Sequence, residues 1–237
     1  MSSPQLGPRR FPQASLAGKV VILPTGACEA HGPHLPLDTD VRIAVAMAER
    51  AAAKVGGIVL PAIPYGVTRF ARNFPGTLTI SPDVMTALVA DVLCSAHDAG
   101  AAKLAIANAH FEPANVDALF AACRLVKDRI GASVAFPHPG SRKNAERLRL
   151  VAAPLDGHSG IYETSLVLAI SPKLVRGQGK LPAVAADLGA GIVAGATCFE
   201  EAGGPLAYFG EPAKASAQLG EALLDELAAI LVESLGD

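Results

Sequence analysis

Five side chains of the kinds that bind metal ions or move protons lie within one short segment of the chain, residues 29–40. They are Glu29, His31, His34, Asp38 and Asp40. The segment follows an apolar run at 20–23, which predicts a buried strand. Mixed oxygen and nitrogen donors suit zinc, manganese or iron(II). The segment by itself permits two interpretations, a metal centre or a polar surface loop.

A second pair of candidate ligands, His110 and Glu112, also follows an apolar run, at 104–107. One residue separates them, as one residue separates Glu29 from His31, and alternate side chains of an extended segment point to the same face. With Asp40 the two pairs supply five protein ligands. This is too many for one catalytic zinc with an open position, but it suits two metals that share a carboxylate. By itself the second pair is weak evidence for a metal site, because a Glu is also favourable at a helix N-terminus.

A third cluster begins with His158, which lies in a glycine-flanked loop that starts at Gly157. A short helix is predicted at 163–170, ending before Pro172. A mobile histidine near a metal-bound water is suited to carry protons, because its ordinary pKa is about 6.5. The alternative is a histidine that only flanks the helix.

Together these clusters resemble the creatininase (creatinine amidohydrolase) family, and the similarity runs in order from about residue 26 to 220. The most specific motif is Gly-x-x-Glu-x-His-Gly-x-His-Leu-Pro-x-x-x-Asp, at 26–40. The supporting motifs are Phe-Pro-Gly-Thr at 74–77, Asn-Ala-His at 108–110, Gly-His-x-Gly…Glu-Thr-Ser at 157–165, and Gly-Glu-Pro…Ala-Ser-Ala at 210–217.

The resemblance implies two divalent metal ions, zinc or manganese, with iron as a further option. It assigns Glu29, Asp40 and His110 to one ion and His31, Asp40 and Glu112 to the other, with Asp40 bridging. His158 would be the catalytic residue that acts on the leaving nitrogen. The substrate pocket or its support would include five further positions: His34, Thr77, Phe111, Gly157 and Glu163.

Glu112 bears on the choice of substrate, and the role of Glu163 is open between two alternatives. Glu112 favours the creatininase-like branch over the formamide-cleaving branch. Glu163 would bond a ligand histidine from outside the metal's own ligand set, or would simply favour the start of its helix. The sequence therefore predicts Glu112, and not Glu163, as a metal ligand.

The departures from the family concern the substrate. Creatininase encloses its flat substrate with tryptophans, and this chain has no Trp. Phe111 stands where creatininase has Tyr, and Gly157 stands where it has an acid. Because such a pocket cannot stack and hydrogen-bond creatinine in the same way, we expect the metal chemistry to transfer and the substrate to differ.

Composition sets the broad class of the protein. The chain has 237 residues, of which 51% are hydrophobic and 18% charged, with a net charge of −2. The length suits one domain over 1–237, with an irregular arm at 1–15. The net charge gives no electrostatic reason to expect nucleic acid or an anionic membrane as a partner. The opening segment lacks the apolar core of a secretory signal, and apolar runs such as 58–63 are too short to cross a membrane. We expect a cytoplasmic protein.

Apolar runs predict strands at 20–25, 58–64, 104–108 and 133–137, and helical patterns cover 41–54, 82–99, 113–130 and 213–235. This alternation predicts a single-domain, three-layer α/β/α fold with a mostly parallel central sheet. Ligands of such sheets gather at the carboxyl ends of the strands, where both metal clusters fall. The stretch 177–204, rich in Gly and Ala, is expected to be an ordered excursion near the site or a subunit contact.

The cysteines form no metal-binding pair. Cys94 and Cys123 lie on apolar helical faces and are expected to be buried thiols. Alternation along a strand places Cys28 opposite Glu29, which makes Cys28 structural.

The leading hypothesis is a dinuclear metal hydrolase that cleaves a C–N bond in a small, cyclic amide. A metal-bridging hydroxide would attack the carbonyl carbon. The alternatives are a formamide or peptide hydrolase that serves cofactor biosynthesis, and a catalytically silent family member that uses the fold for assembly. The expected partners of this protein are a small-molecule substrate and further copies of the same chain. The resemblance implies a hexamer, and the small side chains at 189–195 are a candidate subunit contact.

Overall fold

The computed structural model describes residues 4–9, 14–151 and 157–236. The strands are β1 Val20–Thr25, β2 Ile58–Val59, β3 Lys103–Asn108 and β4 Val134–Ala135. The α-helices are α1 Thr39–Val55, α2 Pro82–Asp98, α3 Pro113–Ile130, α4 Arg142–Val151, α5 Ile161–Ile170, α6 Leu188–Val193 and α7 Ala217–Ser234. Short 3₁₀ helices cover Pro172–Leu174, Gln178–Lys180 and Pro212–Lys214.

The four strands form one parallel sheet in the order β2-β1-β3-β4. β1 and β3 lie at its centre and pair along their whole length, from Val20 opposite Lys103 to Thr25 opposite Asn108. Because the strands are parallel and in register, the segments that follow β1 and β3 leave the sheet side by side. The predicted fold is confirmed.

Alternate residues of the central strands face two separate cores. Ile22 and Ala105 pack with α1, α5 and α7 on one side of the sheet. Val21 and Leu104 pack with α2 and α3 on the other. This gives the three-layer arrangement. The apolar stripe of α7 is buried in the first core, so it covers the protein's own sheet.

The outer strands are shorter than predicted. The run 58–64 pairs regularly only at Ile58–Val59 and then makes a single bridge from Ile63 to Thr25. Pro61 and Pro64 have no N–H to donate, which limits regular pairing. At the other edge only Val134–Ala135 pairs within the run predicted at 133–137.

The last helix differs from its prediction at its beginning. Residues 212–214 form a separate 3₁₀ turn, and α7 starts after Ser216, whose hydroxyl accepts a hydrogen bond from the Leu219 amide at 3.2 Å. A serine that caps an amide in this way marks a helix start. The helices α4 and α6 have no counterpart in the sequence prediction, and α6 lies within the excursion 177–204.

The N-terminal arm is more regular than expected where the structure describes it. Gln5 bridges Val59 in parallel, the Leu6 amide donates to the Val59 carbonyl at 2.8 Å, and the Val59 amide donates to the Pro4 carbonyl at 2.9 Å. The arm therefore covers the β2 edge of the sheet. The rest of the predicted arm, at 1–3 and 10–13, lies outside the described residues. Among the helices described, none is both long and apolar enough to span a bilayer.

Cys94 and Cys123 are partly rather than fully buried, because each lies at the margin of the α2–α3 core. Burial nevertheless raises the pKa of the Cys123 thiol to about 11.

Candidate metal centre

The candidate site lies at the carboxyl ends of β1 and β3. Glu29 and His31 follow β1, and His110 follows β3. Asp40 lies in the first turn of α1, which comes close to β1 at Gly26: a Cβ placed there would lie 2.5 Å from the Val41 nitrogen. The absence of a side chain at Gly26 thus lets α1 bring Asp40 to the strand ends.

Two groups of potential ligands share Asp40. One consists of Glu29, Asp40 and His110, and the other of His31, Asp40 and Glu163, with the ligand atoms of each group within 4.8 Å of one another. Asp40 Oδ1 lies 3.1 Å from His31 Nε2, and Asp40 Oδ2 lies 3.1 Å from His110 Nδ1. All five residues are buried, none more than 6% exposed. A carboxylate between two groups is the arrangement expected of a bridging ligand.

Backbone carbonyl groups fix the orientation of three histidines at the site. His31 Nδ1 bonds the Glu29 carbonyl at 3.0 Å, His110 Nε2 the Val67 carbonyl at 2.8 Å, and His158 Nε2 the Ala30 carbonyl at 2.9 Å. A carbonyl only accepts, so each of these ring nitrogens carries the proton in the neutral tautomer. The other nitrogen of each ring is left with its lone pair toward the carboxylates, as a metal-ligating histidine requires.

The carboxylates dominate the electrostatics. Burial alone would lower the pKa of His31, but Asp40, Glu163 and Glu29 outweigh it and raise the pKa to about 10. The pKa of His110 is likewise raised well above its ordinary value by Glu29 and Asp40, against the effect of burial. Burial raises the pKa of Glu163 to about 7, and His31 opposes that rise. The group therefore attracts cations strongly, whether protons or metal ions.

The residues present fit a divalent metal ion. Asp40 Oδ2 is buried, and its neighbour among the described residues is the His110 ring nitrogen at 3.1 Å, so this oxygen faces a proton on that ring or a metal ion in its place. Imidazole with carboxylate is a donor set that zinc and manganese accept. Thr68 is also buried. Its hydroxyl group donates a hydrogen bond to Glu29 Oε2 and so orients that carboxylate.

Four of the five predicted ligands fall in these two groups, and the fifth, Glu112, lies on the wall of the cavity that Glu29, Asp40 and His110 also line. Glu112 Oε2 accepts hydrogen bonds from the backbone amides of Arg69, at 2.5 Å, and Phe70, at 3.2 Å. Among the described residues Glu112 belongs to none of the groups that could hold an ion. Glu163, which the sequence prediction placed outside the ligand set, lies 3.9 Å from His31 Nε2.

His158 lies beside the ligands, in the loop before α5. Its Nδ1 is 3.9 Å from both Glu29 Oε1 and Glu163 Oε2, and its ring stacks on Phe199 with centroids 4.3 Å apart. The following residue, Ser159, has a left-handed φ of 54°, which turns the loop tightly. Burial and the neighbouring His31 lower the pKa of His158 to about 4, so the ring is neutral at pH 7.

A cavity of about 220 Å³ leads to these groups. Of the predicted pocket residues, Phe111 and Gly157 line it, as Glu163 does. The wall also includes residues that the sequence analysis did not single out: Phe70, Pro113, Leu188, Gly189, Ile192 and Phe199. Three of them come from α6 or its flanks, so the excursion 177–204 lies near the site, as predicted.

His34 and Thr77 do not line the cavity but support the loops that do. His34 is 2% exposed, and its Nε2 lies 2.9 Å from the Thr164 hydroxyl at the start of α5. Thr77 Oγ1 accepts a hydrogen bond from the Ala30 amide at 3.2 Å, between Glu29 and His31. Asp38 points outward and pairs with Arg42 at 2.7 Å. Cys28 donates to the Gly76 carbonyl and joins neither ligand group.

Comparison with known proteins identifies the family of this chain. The family described as creatinine amidohydrolase matches residues 6–235. The chain belongs to the creatininase family. It is accordingly a metal-dependent amidohydrolase, and its buried clusters of His, Glu and Asp are suited to bind metal.

Two relatives within the family differ in what they are named for. A mycofactocin precursor peptide peptidase of Mycobacterium ulcerans is 30% identical over 232 residues, covering 94% of this chain and 87% of the relative. A creatinine amidohydrolase of Pseudomonas putida is 28% identical over 182 residues, covering 66% of each chain. The family membership thus leaves the substrate open.

Solved structures share the fold. A creatininase crystal structure superposes with a TM-score of 0.81 at 23% identity, covering 100% of this chain and 98% of that one. A manganese form of creatininase superposes with a TM-score of 0.75 at 23% identity, covering 98% and 97% of the two chains.

Proposed function

We propose that this amidohydrolase uses two divalent metal ions to hydrolyse a C–N bond in a small amide. One observation supports this above all: the two buried ligand groups share Asp40 and open onto a single cavity. Glu29, Asp40 and His110 would hold one ion, and His31, Asp40 and Glu163 the other. When bound, the ions would activate water and polarise the amide carbonyl. Zinc and manganese are the expected metals.

His158 is placed to move the proton in this reaction. Its Nε2–H is held by the Ala30 carbonyl, and its free Nδ1 faces the ligand groups. With the proton of the neutral ring on Nε2, Nδ1 would accept a proton from the attacking water and then donate it to the departing nitrogen. Stacking on Phe199 keeps the ring in place for both transfers.

Cavity size limits the substrate. A volume of about 220 Å³ lies below the range of about 300–1,000 Å³ typical of pockets for drug-sized ligands. A small cyclic amide fits this space as a whole, whereas a peptide would fit only with its terminal residue or two. Apart from the ionisable side chains, the walls are phenylalanine and small or aliphatic residues, without tryptophan. We therefore expect little or no activity on creatinine.

Peptide hydrolysis is the second candidate, because the Mycobacterium ulcerans relative, named as a peptide peptidase, aligns over 94% of this chain. The test is a substrate panel of lactams, hydantoins, formamides and short peptides, presented to protein whose metal content has been measured. Turnover of cyclic amides at about two ions per chain supports the first proposal. Turnover of peptides alone favours the second, and bound metal without turnover of any of them favours the silent family member. Efficient hydrolysis of creatinine would refute the substrate argument.

A homo-oligomer, with a hexamer as its expected form, is also proposed. The stripe on α7 does not support it, since α7 packs on the sheet. Apolar side chains lie at the surface of the described residues, among them Val193, which is 90% exposed, and Leu206, at 53%, and a contact between copies would cover them. Light scattering measures this directly, and a mass near one 24.2 kDa chain would contradict it.

A further inference from the structure

The short helix α6 contributes an aliphatic surface to the cavity. Leu188 and Ile192 both line the cavity, whereas Val193, on another face of α6, is 90% exposed. Residues four apart lie on the same face of a helix, so Leu188 and Ile192 form one stripe. The helix therefore presents two aliphatic side chains to the same space that the candidate metal ligands line.

Close contacts on two sides hold α6 in this position. A Cβ added to Gly157 would lie 2.9 Å from Leu188 Cβ and 3.3 Å from Leu188 Cδ2. The absence of a side chain at Gly157 thus lets Leu188 approach the loop that carries His158. A Cβ added to Gly191, in the middle of the helix, would likewise lie 2.9 Å from Ala202 Cβ. Leu188 is therefore a fixed part of the cavity wall.

Two phenylalanine rings extend the aliphatic stripe. Phe70 and Phe199 line the same cavity with their ring centroids 6.0 Å apart, and both pack with Leu188 in one apolar cluster. We call the surface formed by Leu188, Ile192, Phe70 and Phe199 the apolar wall. Leu188 and Ile192 are only half-buried, so part of this wall is in contact with water. Covering it with an apolar group of a ligand would be favourable by the hydrophobic effect.

The apolar wall lies beside His158. Phe199 stacks on the His158 ring with centroids 4.3 Å apart, and Leu188 lies against Gly157, the residue before it. Because His158 would serve the departing nitrogen, the apolar wall borders the bond to be cleaved. Among the described residues that line the cavity there is no Lys or Arg, so a carboxylate or phosphate on the substrate would find no cationic side chain.

We propose that Leu188 is a specificity-determining residue, and that the apolar wall receives an aliphatic or aromatic substituent of the substrate beside the scissile C–N bond. This inference rests on the proposed metal-dependent hydrolase. It names the substrate class of that site as small amides that carry a compact, uncharged apolar group.

The first test measures the binding of two hydroxamates, which chelate divalent metal ions. Isovalerohydroxamate is acetohydroxamate with an added isopropyl group. In calorimetry, zinc-loaded wild-type protein should bind isovalerohydroxamate about 10-fold or more tightly, since each buried methylene contributes about 4-fold. Leu188→Asn, a polar side chain of similar size, should lose most of that preference.

Val193→Asn is the matched control for this test, because Val193 lies on the exposed face of the same helix. This variant should keep the wild-type preference. A wild-type protein without the preference, or a Leu188→Asn variant that keeps it, would overturn the proposal.

The second test uses the contact between Gly157 and Leu188. In Gly157→Ala the added Cβ displaces the Leu188 side chain, so the preference for isovalerohydroxamate should change by about 3-fold or more. In the Leu188→Ala background the same change at Gly157 meets a smaller side chain and should have little effect. Equal effects in the two backgrounds would contradict the role of Leu188.

Neither readout depends on turnover. A protein that binds zinc and prefers isovalerohydroxamate but hydrolyses no amide contradicts the proposed function and leaves the role of Leu188 standing. A protein that binds neither zinc nor the hydroxamates contradicts both. Circular dichroism verifies that each variant is folded before its binding is compared.

Discussion

Replacement of Asp40 by alanine should release both metal ions together. Asp40 is the residue common to the two ligand groups, and its two oxygens lie 3.1 Å from His31 Nε2 and His110 Nδ1 respectively. Without it each group falls from three protein ligands to two. No other single replacement in these groups removes a ligand from both.

The size of the effect follows from the number of ligands. Structural zinc sites with four ligands bind with an apparent free energy of about 10–16 kcal/mol, or about 2.5–4 kcal/mol for each ligand. Loss of one ligand should therefore lower the binding affinity for each ion by about 100- to 1,000-fold. Asp40→Asn, which keeps one neutral oxygen, should fall between the wild type and Asp40→Ala.

The assay is metal content by mass spectrometry after equilibration with buffers of fixed free zinc or manganese. Asp38→Ala is the matched control, because Asp38 lies in the same segment but points outward to Arg42, and this variant should keep both ions. Circular dichroism establishes that each variant is folded. One ion that stays tightly bound in Asp40→Ala would refute the bridging role.

Three further outcomes are expected. His158→Ala should lower kcat by about 100- to 10,000-fold with metal content unchanged, and a loss below about tenfold would return His158 to a structural role. His34 is buried, and burial lowers its pKa to about 4. The unfolded chain, with a pKa of about 6.5, therefore binds the proton more strongly, and stability should fall by up to about 3 kcal/mol as pH drops from 6.5 to 4. Denaturant titrations of His34→Gln should lack this part of the slope; an unchanged slope would contradict it. Gly220→Ala should destabilise by about 1–3 kcal/mol in thermal melts, because the added Cβ would lie 1.9 Å from the Ser165 carbonyl oxygen, whereas Gly179→Ala meets nothing and should be neutral. Equal melting temperatures would refute the packing argument.

The sequence by itself determined the central sheet and where the chemistry is placed on it. β1 and α3 have the predicted bounds, and β3 and α2 differ by one residue, because long apolar runs have a strong periodicity. Parallel strands end at one edge of the sheet, so Glu29, His31 and His110 had to lie close together there. The prediction of the site thus combined local sequence patterns with the rule that parallel strands end at one edge of a sheet.

The tertiary structure decided which carboxylate joins the second ligand group. The spacing of His110 and Glu112 suggested a pair, but the chain turns into α3 at Glu112, and the backbone amides of Arg69 and Phe70 hold its side chain. Glu163 comes from far along the chain and reaches His31 only because α5 packs against α1 and α7. A sequence pattern records separation along the chain, and it does not record the direction in which a side chain leaves a turn.

The same reason applies to the substrate cavity. Its Phe70 and Phe199 walls come from irregular segments without periodicity, and Thr68 reaches Glu29 across a long loop. The orientation of His31, His110 and His158 depends on three backbone carbonyl groups, and the position of a backbone carbonyl cannot be predicted from the type of residue. Residue identity thus specified the ligands available to the site, while the packing of loops against the sheet specified which of them converge and what space is left for the substrate.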